Sequence, residues 1–351
     1  MAGSSCHKTA LALLVLLLAG CSVPQYKRPD YSRYIWPPAP ERPRVKLLRI
    51  IQTDLDIRGR SHLEAIFGEE LTWVLGKPHG VAVDRQGNVY VTDTWRQDVS
   101  ILNLQEGTVS LLFNPHGWHL PMGVAVDDEN GLLAVVDGRR LYIFGLGDRR
   151  LRAASPRGLL KNPCGVAFDP RRKLIYVADS KAHTVEAFNY QGRHLRRVAG
   201  PGNQPAQVSF PIGLATDQQG RLYVVDSANW RVQVFNPDGT LLSILGSLGV
   251  RPGSFVRPKY VAVSREGLIL VTDAAFGNFQ ILDLRGRVYL FVGTPGGEPG
   301  MFRVPQGIFI DGSDRIYVAD SLNRRVQVFQ LMTDRWYAQQ GLANSPALKE
   351  P

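Results

Sequence analysis

Between Pro78 and Leu331 the apolar residues come in short runs separated by Gly, Pro, Asp and Asn, and the runs are of two kinds. Some are β-branched and nearly continuous, such as Val81-Ala82-Val83 and Tyr90-Val91-Thr92. Others alternate, as in Arg231-Val232-Gln233-Val234-Phe235. Continuous runs suit strands covered on both faces, whereas period-two alternation suits strands with one face toward water. The separators are turn formers: Asp84-Arg85-Gln86-Gly87 and Asp217-Gln218-Gln219-Gly220 place Asp and Gly where tight reversals between strands need them.

The runs recur. A first register, Pro-x-Gly-Val-Ala-Val-Asp, begins at Pro78, Pro121, Pro163, Pro211, Pro258 and Pro305, at successive spacings of 43, 42, 48, 47 and 47 residues. A second ends in Asp93, Asp137, Asp179, Asp226, Asp273 and Asp320; its best copies read Tyr176-Val177-Ala178-Asp179 and Tyr317-Val318-Ala319-Asp320. A third is clearest in Asn229 to Phe235 and Asn323 to Phe329, and a fourth apolar run precedes the next proline, as in Thr108 to Phe113, Leu241 to Leu245 and Val288 to Val292. Each copy is thus a four-stranded sheet that cannot bury both faces alone. Stacking such sheets around an axis does bury them, so the pattern predicts an all-β, six-bladed β-propeller of four-stranded antiparallel blades over 45–331. Copy six lacks a fourth run after Phe329. The orphan run Val45 to Ile51 is expected to supply it, closing the ring without a free edge.

These registers resemble the NHL-repeat family, whose signature is this Pro-x-Gly-Val-Ala-Val-Asp, Ile-Tyr-Val-Ala-Asp-Ser, Asn-Arg-Val-Gln-Val-Phe series. The resemblance spans roughly 75–331 and is sharpest in copies three, four and six. Copies two and five depart from it: Gly138-Arg139-Arg140 shortens one link, and Tyr260 and Ser264 stand where Gly and Asp recur.

Composition adds location. The 351-residue chain is 44% hydrophobic and 21% charged, which excludes a disordered chain, a collagen or a polytopic membrane protein. At the N-terminus His7 and Lys8 precede an apolar run from Ala10 to Ala19, about half the roughly 20 residues that a membrane-spanning helix requires. It reads as a signal peptide over 1–20. Leu18-Ala19-Gly20-Cys21 resembles the lipobox of bacterial lipoproteins, which implies a lipidated Cys21 as the first mature residue. Ser22 after it implies the outer membrane of a diderm bacterium, facing the periplasm. Residues 21–44 carry six prolines among aromatic residues and read as an extended tether. Residues 332–351 are expected to form a tail frayed at its end.

Charge is uneven. The net +10 is matched by 139–197, where fourteen Lys/Arg face four acids. Arg149, Arg150, Arg152, Arg157, Lys161, Arg171, Arg172, Lys173, Arg193, Arg196 and Arg197 fall on hairpins and outer strands of blades two and three. They are expected to form one side of a rim that binds an anionic polymer, a lipid surface or an acidic envelope protein. Nucleic acid is excluded by the implied compartment.

The residue after each repeat proline is His79, Met122, Cys164, Ile212, Lys259 or Gln306, and these are expected to converge on a channel mouth. Among NHL propellers, peptidyl-hydroxyglycine amidating lyases hold zinc with histidines at Pro-His-Gly-like positions. Only His79 remains here, and zinc normally takes at least three protein ligands. His79, Met122 and Cys164 together would suit a soft ion such as copper. Otherwise no cofactor is expected, and no catalytic residue is assigned. The aspartates that end each second strand obey the repeat, which marks a structural device receiving turn donors or an Arg such as Arg231 or Arg325. His116, Trp118 and His119 lie in a loop suited to contacts. The reading is a membrane-anchored binding or scaffolding module, with a metal-assisted lyase or hydrolase in the channel as the alternative.

Overall fold

The computed structural model describes residues 29–38, 41–59 and 72–342. The signal peptide, Cys21 and residues 343–351 lie outside them. Six sheets stand radially around a central axis. Their innermost strands are Pro78–Val83, Pro121–Asp127, Pro163–Asp169, Pro211–Thr216, Pro258–Val263 and Pro305–Ile310. Within each blade the next strands follow outward by antiparallel hairpins, as in Leu222–Asp226, Arg231–Phe235 and Leu241–Leu245. The core is correspondingly divided into seams. Tyr223, Val225, Val232 and Val234 of blade four, for instance, pack against Val261, Ile269 and Val271 of blade five.

The ring closes as the orphan run requires. Val45–Ile51 pairs antiparallel with Arg325–Leu331, from Val45 opposite Leu331 to Ile51 opposite Val326. Leu47 and Ile51 are fully buried while Leu48 faces solvent, which is the alternation of an outer strand. The tether is less free than expected. Ile35–Trp36 adds a two-residue strand outside Val45–Ile51, and Trp36 stacks edge-on against Phe329. Proline permits this because the strand is an edge. The segment from Met332 is likewise docked. Thr333 caps the helix Asp334–Gln339, and the buried Tyr337 donates its hydroxyl to the Pro43 carbonyl beneath the Arg42 guanidinium.

The repeating Asp at the end of each second strand is the fastener of the blade. Asp93 accepts from the backbone N–H groups of Gly76, Lys77, Trp95 and Arg96. Asp226 and Asp320 add Arg231 and Arg325, each at 2.8 Å. These carboxylates tie the entering loop to the hairpin that follows, in keeping with a structural role rather than a catalytic ring.

Candidate functional site

The innermost strands approach one another most closely at the glycine of Pro-x-Gly. A Cβ on Gly80, Gly123, Gly165, Gly213 or Gly307 would lie less than 3.0 Å from the backbone of the next blade. Five glycines therefore draw the axis into a throat at the end where these strands begin. The sixth position is Tyr260, and its ring crosses the bore: the hydroxyl donates to the Cys164 carbonyl at 2.9 Å and lies 3.3 Å from His79 Nδ1. His79 and Tyr260 rings meet edge-to-face at 5.5 Å. Met122, Cys164 and Ile212 pack into the same apolar cluster as Tyr260.

The throat set thus converges, but its chemistry is subdued. Burial, opposed by the hydrogen bond to the Met122 carbonyl and aided by the positive charges of Lys259 and Lys77, holds the His79 imidazole down to about 4, so it is neutral at neutral pH. Its Nδ1 bonds the Met122 carbonyl at 3.1 Å. Burial also pushes the Cys164 thiol up, and that thiol sits 3.1 Å from Ser180 Oγ of its own blade. A thiol kept protonated and turned to its own blade is a poor metal ligand. Among the described residues no three His, Cys, Asp or Glu side chains are grouped to hold a metal ion. Desolvation lowers Lys259 as well, and Gln306 joins this end through its carbonyl, which accepts from Thr272.

Beyond Tyr260 the axis widens into a cavity of about 560 Å³ that opens where the innermost strands end. Its lining is about as polar as it is apolar: Val126, Val166, Ala215, Val263 and Phe309 line the walls beside Thr216, Tyr260 forms the floor, and Glu129, Arg171, Asp217 and Gln218 stand at the mouth. The result is a cup. Tyr260 stands out in the sequence as a departure from the repeat, and one aromatic residue among five glycines at one ring position is the signal for the plug.

The basic set of blades two and three does not form a single patch. Arg149, Arg150, Arg171, Arg172, Lys173 and Arg193 lie on turns at the cup end. Arg152, Arg196 and Arg197 lie on outer strands, while Arg157 and Lys161 lie in the loop at the throat end. Several are neutralised: Arg152 pairs with Asp148, Arg172 with Asp169 and Arg197 with Glu186. A run in sequence is split because consecutive hairpin turns point to opposite ends of a blade. In the 116–119 loop, Trp118 is packed inward, donating to the Leu112 carbonyl and meeting Tyr142, rather than presented.

The fold and the plugged axis define a class, a six-bladed β-propeller with a one-ended central cup. Family models agree. An NHL repeat matches residues 75–102, and an SMP-30/gluconolactonase/LRE-like region matches 139–247. The chain thus resembles the NHL-repeat β-propellers in one matched repeat and in its six-bladed fold. It is 28% identical over 145 residues to NHL repeat-containing protein 2 of Gallus gallus, covering 38% of this chain and 16% of that protein. The Bos taurus protein is 26% identical over 158 residues, 42% of this chain and 19% of that one. The matches therefore span under a fifth of these relatives. Among solved structures, a Bacteroides thetaiotaomicron protein of unknown function superposes with a TM-score of 0.61 at 16% identity, covering 73% of this chain and 70% of that one. An auxiliary nutrient binding protein from the same organism gives 0.57 at 15%, over 73% and 69%. Virginiamycin B lyase of Staphylococcus aureus with quinupristin gives 0.55 at 14%, over 76% and 86%. At these identities the likeness is one of fold.

Proposed function

We propose that this chain is a lipid-anchored binding module of the cell envelope, facing the periplasm from the outer membrane, whose cup receives an element of a partner protein with both apolar and polar groups. The observation that carries the reading is the cup itself. Its 560 Å³ lies within the roughly 300–1,000 Å³ range of ligand pockets, its lining combines apolar side chains with an equal share of polar surface, and its mouth carries charge for orientation. A rigid ring holds that mouth, so binding costs little ordering. The exposed Arg150, Arg171, Lys173 and Arg193 flank it on blades two and three and suit an acidic rim on the partner. Lipidation of Cys21 supplies the membrane attachment, since several acyl chains on one residue anchor stably where a single chain does not.

Two measurements test the reading. Cys21→Ser is expected to move the protein from the membrane fraction to the soluble fraction. Affinity purification of the detergent-solubilised lipoprotein from its native envelope is expected to retain one stoichiometric protein, which Ala215→Trp, filling the cup, releases. A wild-type chain that retains nothing, or a partner indifferent to Ala215→Trp, contradicts the cup as the binding site.

A further inference from the structure

The two ends of the ring differ in a way the linear charge pattern conceals. At the cup end, the turns mix signs: Asp128, Glu129, Asp148, Asp238, Glu266 and Asp283 lie among Arg85, Arg149, Arg171, Lys173, Arg265 and Arg285. At the throat end, the described segments joining second to third strands and outer strands to the next blade contain three acids: Glu298, Asp54, which pairs with Arg58, and Asp56, which accepts from the Gln52 and Thr53 backbone N–H groups. They carry Lys77, Arg96, Arg139, Lys161, Lys181, Arg257, Arg303 and Arg324. The aspartates that end the second strands also lie here, but they are buried and occupied by backbone donors.

Exposed apolar side chains follow the same division. Trp95 (71% exposed), Phe113 (77%), Val250 (83%), Phe210, Trp230 and Leu322 all stand on throat-end loops. The other large exposed apolar residues lie mainly on the outer strands, and the cup-end hairpin turns present none among the described residues. Arg324 sits 4.6 Å from the Trp73 ring and 5.8 Å from that of Trp95, so cation and aromatic side chains are interleaved.

We infer that the throat end is a docking surface for an anionic phospholipid membrane, with the aromatic and aliphatic loop tips entering the headgroup region and the Lys/Arg set meeting lipid phosphates. Tryptophan is favoured at that depth, and basic residues beside it gain from the negative surface potential. The apolar tips protrude on separate loops instead of lining a groove, which fits a deformable, laterally mobile surface better than a single rigid protein epitope. No described helix is long and apolar enough to cross a membrane, so attachment by this face is peripheral. On the reading that Cys21 is acylated, the eight residue steps from Cys21 to Pro29 span at most about 29 Å, which keeps the body close to the bilayer that holds the anchor. Throat-down docking leaves the cup open to the periplasm.

The test uses the full chain carrying Cys21→Ala, so that binding by this face is separated from anchoring. Co-sedimentation is measured with vesicles of phosphatidylglycerol and phosphatidylcholine in equal parts, and with phosphatidylcholine alone. The chain is expected to bind the anionic vesicles only, to release with salt, and to show a blue-shifted tryptophan emission quenched by brominated lipid. Lys161→Glu and Lys181→Glu should each weaken binding about fivefold or more, in line with the contribution of one basic residue near an anionic surface. Trp95→Ala should lower the quenching, and Arg171→Glu at the cup end should change little. Absence of binding, equal binding to both vesicles, or equal losses from Arg171→Glu overturns the inference. So does binding to soluble polyglutamate as tight as to vesicles without lipid quenching, which would assign the face to an acidic polymer or protein. None of these outcomes bears on whether Cys21 is acylated or the cup occupied.

Discussion

At the residue scale, Tyr260 turns a repeat into a site. Every other blade places glycine there because a side chain would collide with the neighbouring backbone. Tyrosine instead sends its ring across the axis, closing one end and flooring the cup. Its cost falls on His79, which is desolvated beside it. The imidazole titrates at about 4 in the folded chain against 6.5 in an unfolded one, so between those values the unfolded chain binds more protons. The neutral histidine therefore contributes stability fully above pH 6.5, and that contribution is lost as pH falls toward 4. Urea unfolding should show the wild type losing on the order of 2–3 kcal/mol more than His79→Gln between pH 7 and 4.5. Equal losses would mean that the ring is hydrated in the bore. The identity of the throat residues was legible in the sequence, since the register fixes them. Their protonation and the plug were not, because both depend on how closely six strands converge.

At the scale of the element, the sequence pattern was nearly sufficient. Strand positions, hairpin turns and the closing strand all follow from periodicity, and the Asp fasteners follow from their recurrence. What it missed were short docked pieces, Ile35–Trp36 and Asp334–Gln339, whose partners are single residues such as Phe329 and Pro43 far away in the chain. Too few apolar positions signal them. The closing strand offers a paired test: Leu47 is fully buried, whereas its neighbour Leu48 is exposed. Leu47→Asp places an unpaired carboxylate in the last seam and should cost more than about 4 kcal/mol, whereas Leu48→Asp should cost less than about 1 kcal/mol. Thermal unfolding of the two variants reads this directly. Similar midpoints would show that the ring does not close through Val45–Ile51.

At the scale of the whole molecule, a propeller sorts alternate turns to opposite ends, so a stretch such as 139–197 that looks like one basic block is dispersed over both ends and the outer wall. The converse also holds: residues scattered from Lys77 to Arg324 are gathered at the throat end. That assembly is invisible to a linear reading until the blade registers are laid out, after which it can be read from the loops alone. The molecule then has two unlike ends, a plugged, basic, aromatic one and an open cup of mixed lining and mixed rim. The account holds that the first faces lipid and the second faces a protein. Photo-crosslinking in intact cells tests this most directly, with benzoyl-phenylalanine replacing Val263 inside the cup or Trp95 at the throat. The account predicts a discrete protein adduct from Val263 and lipid adducts from Trp95. A protein adduct from Trp95 with none from Val263 would contradict it.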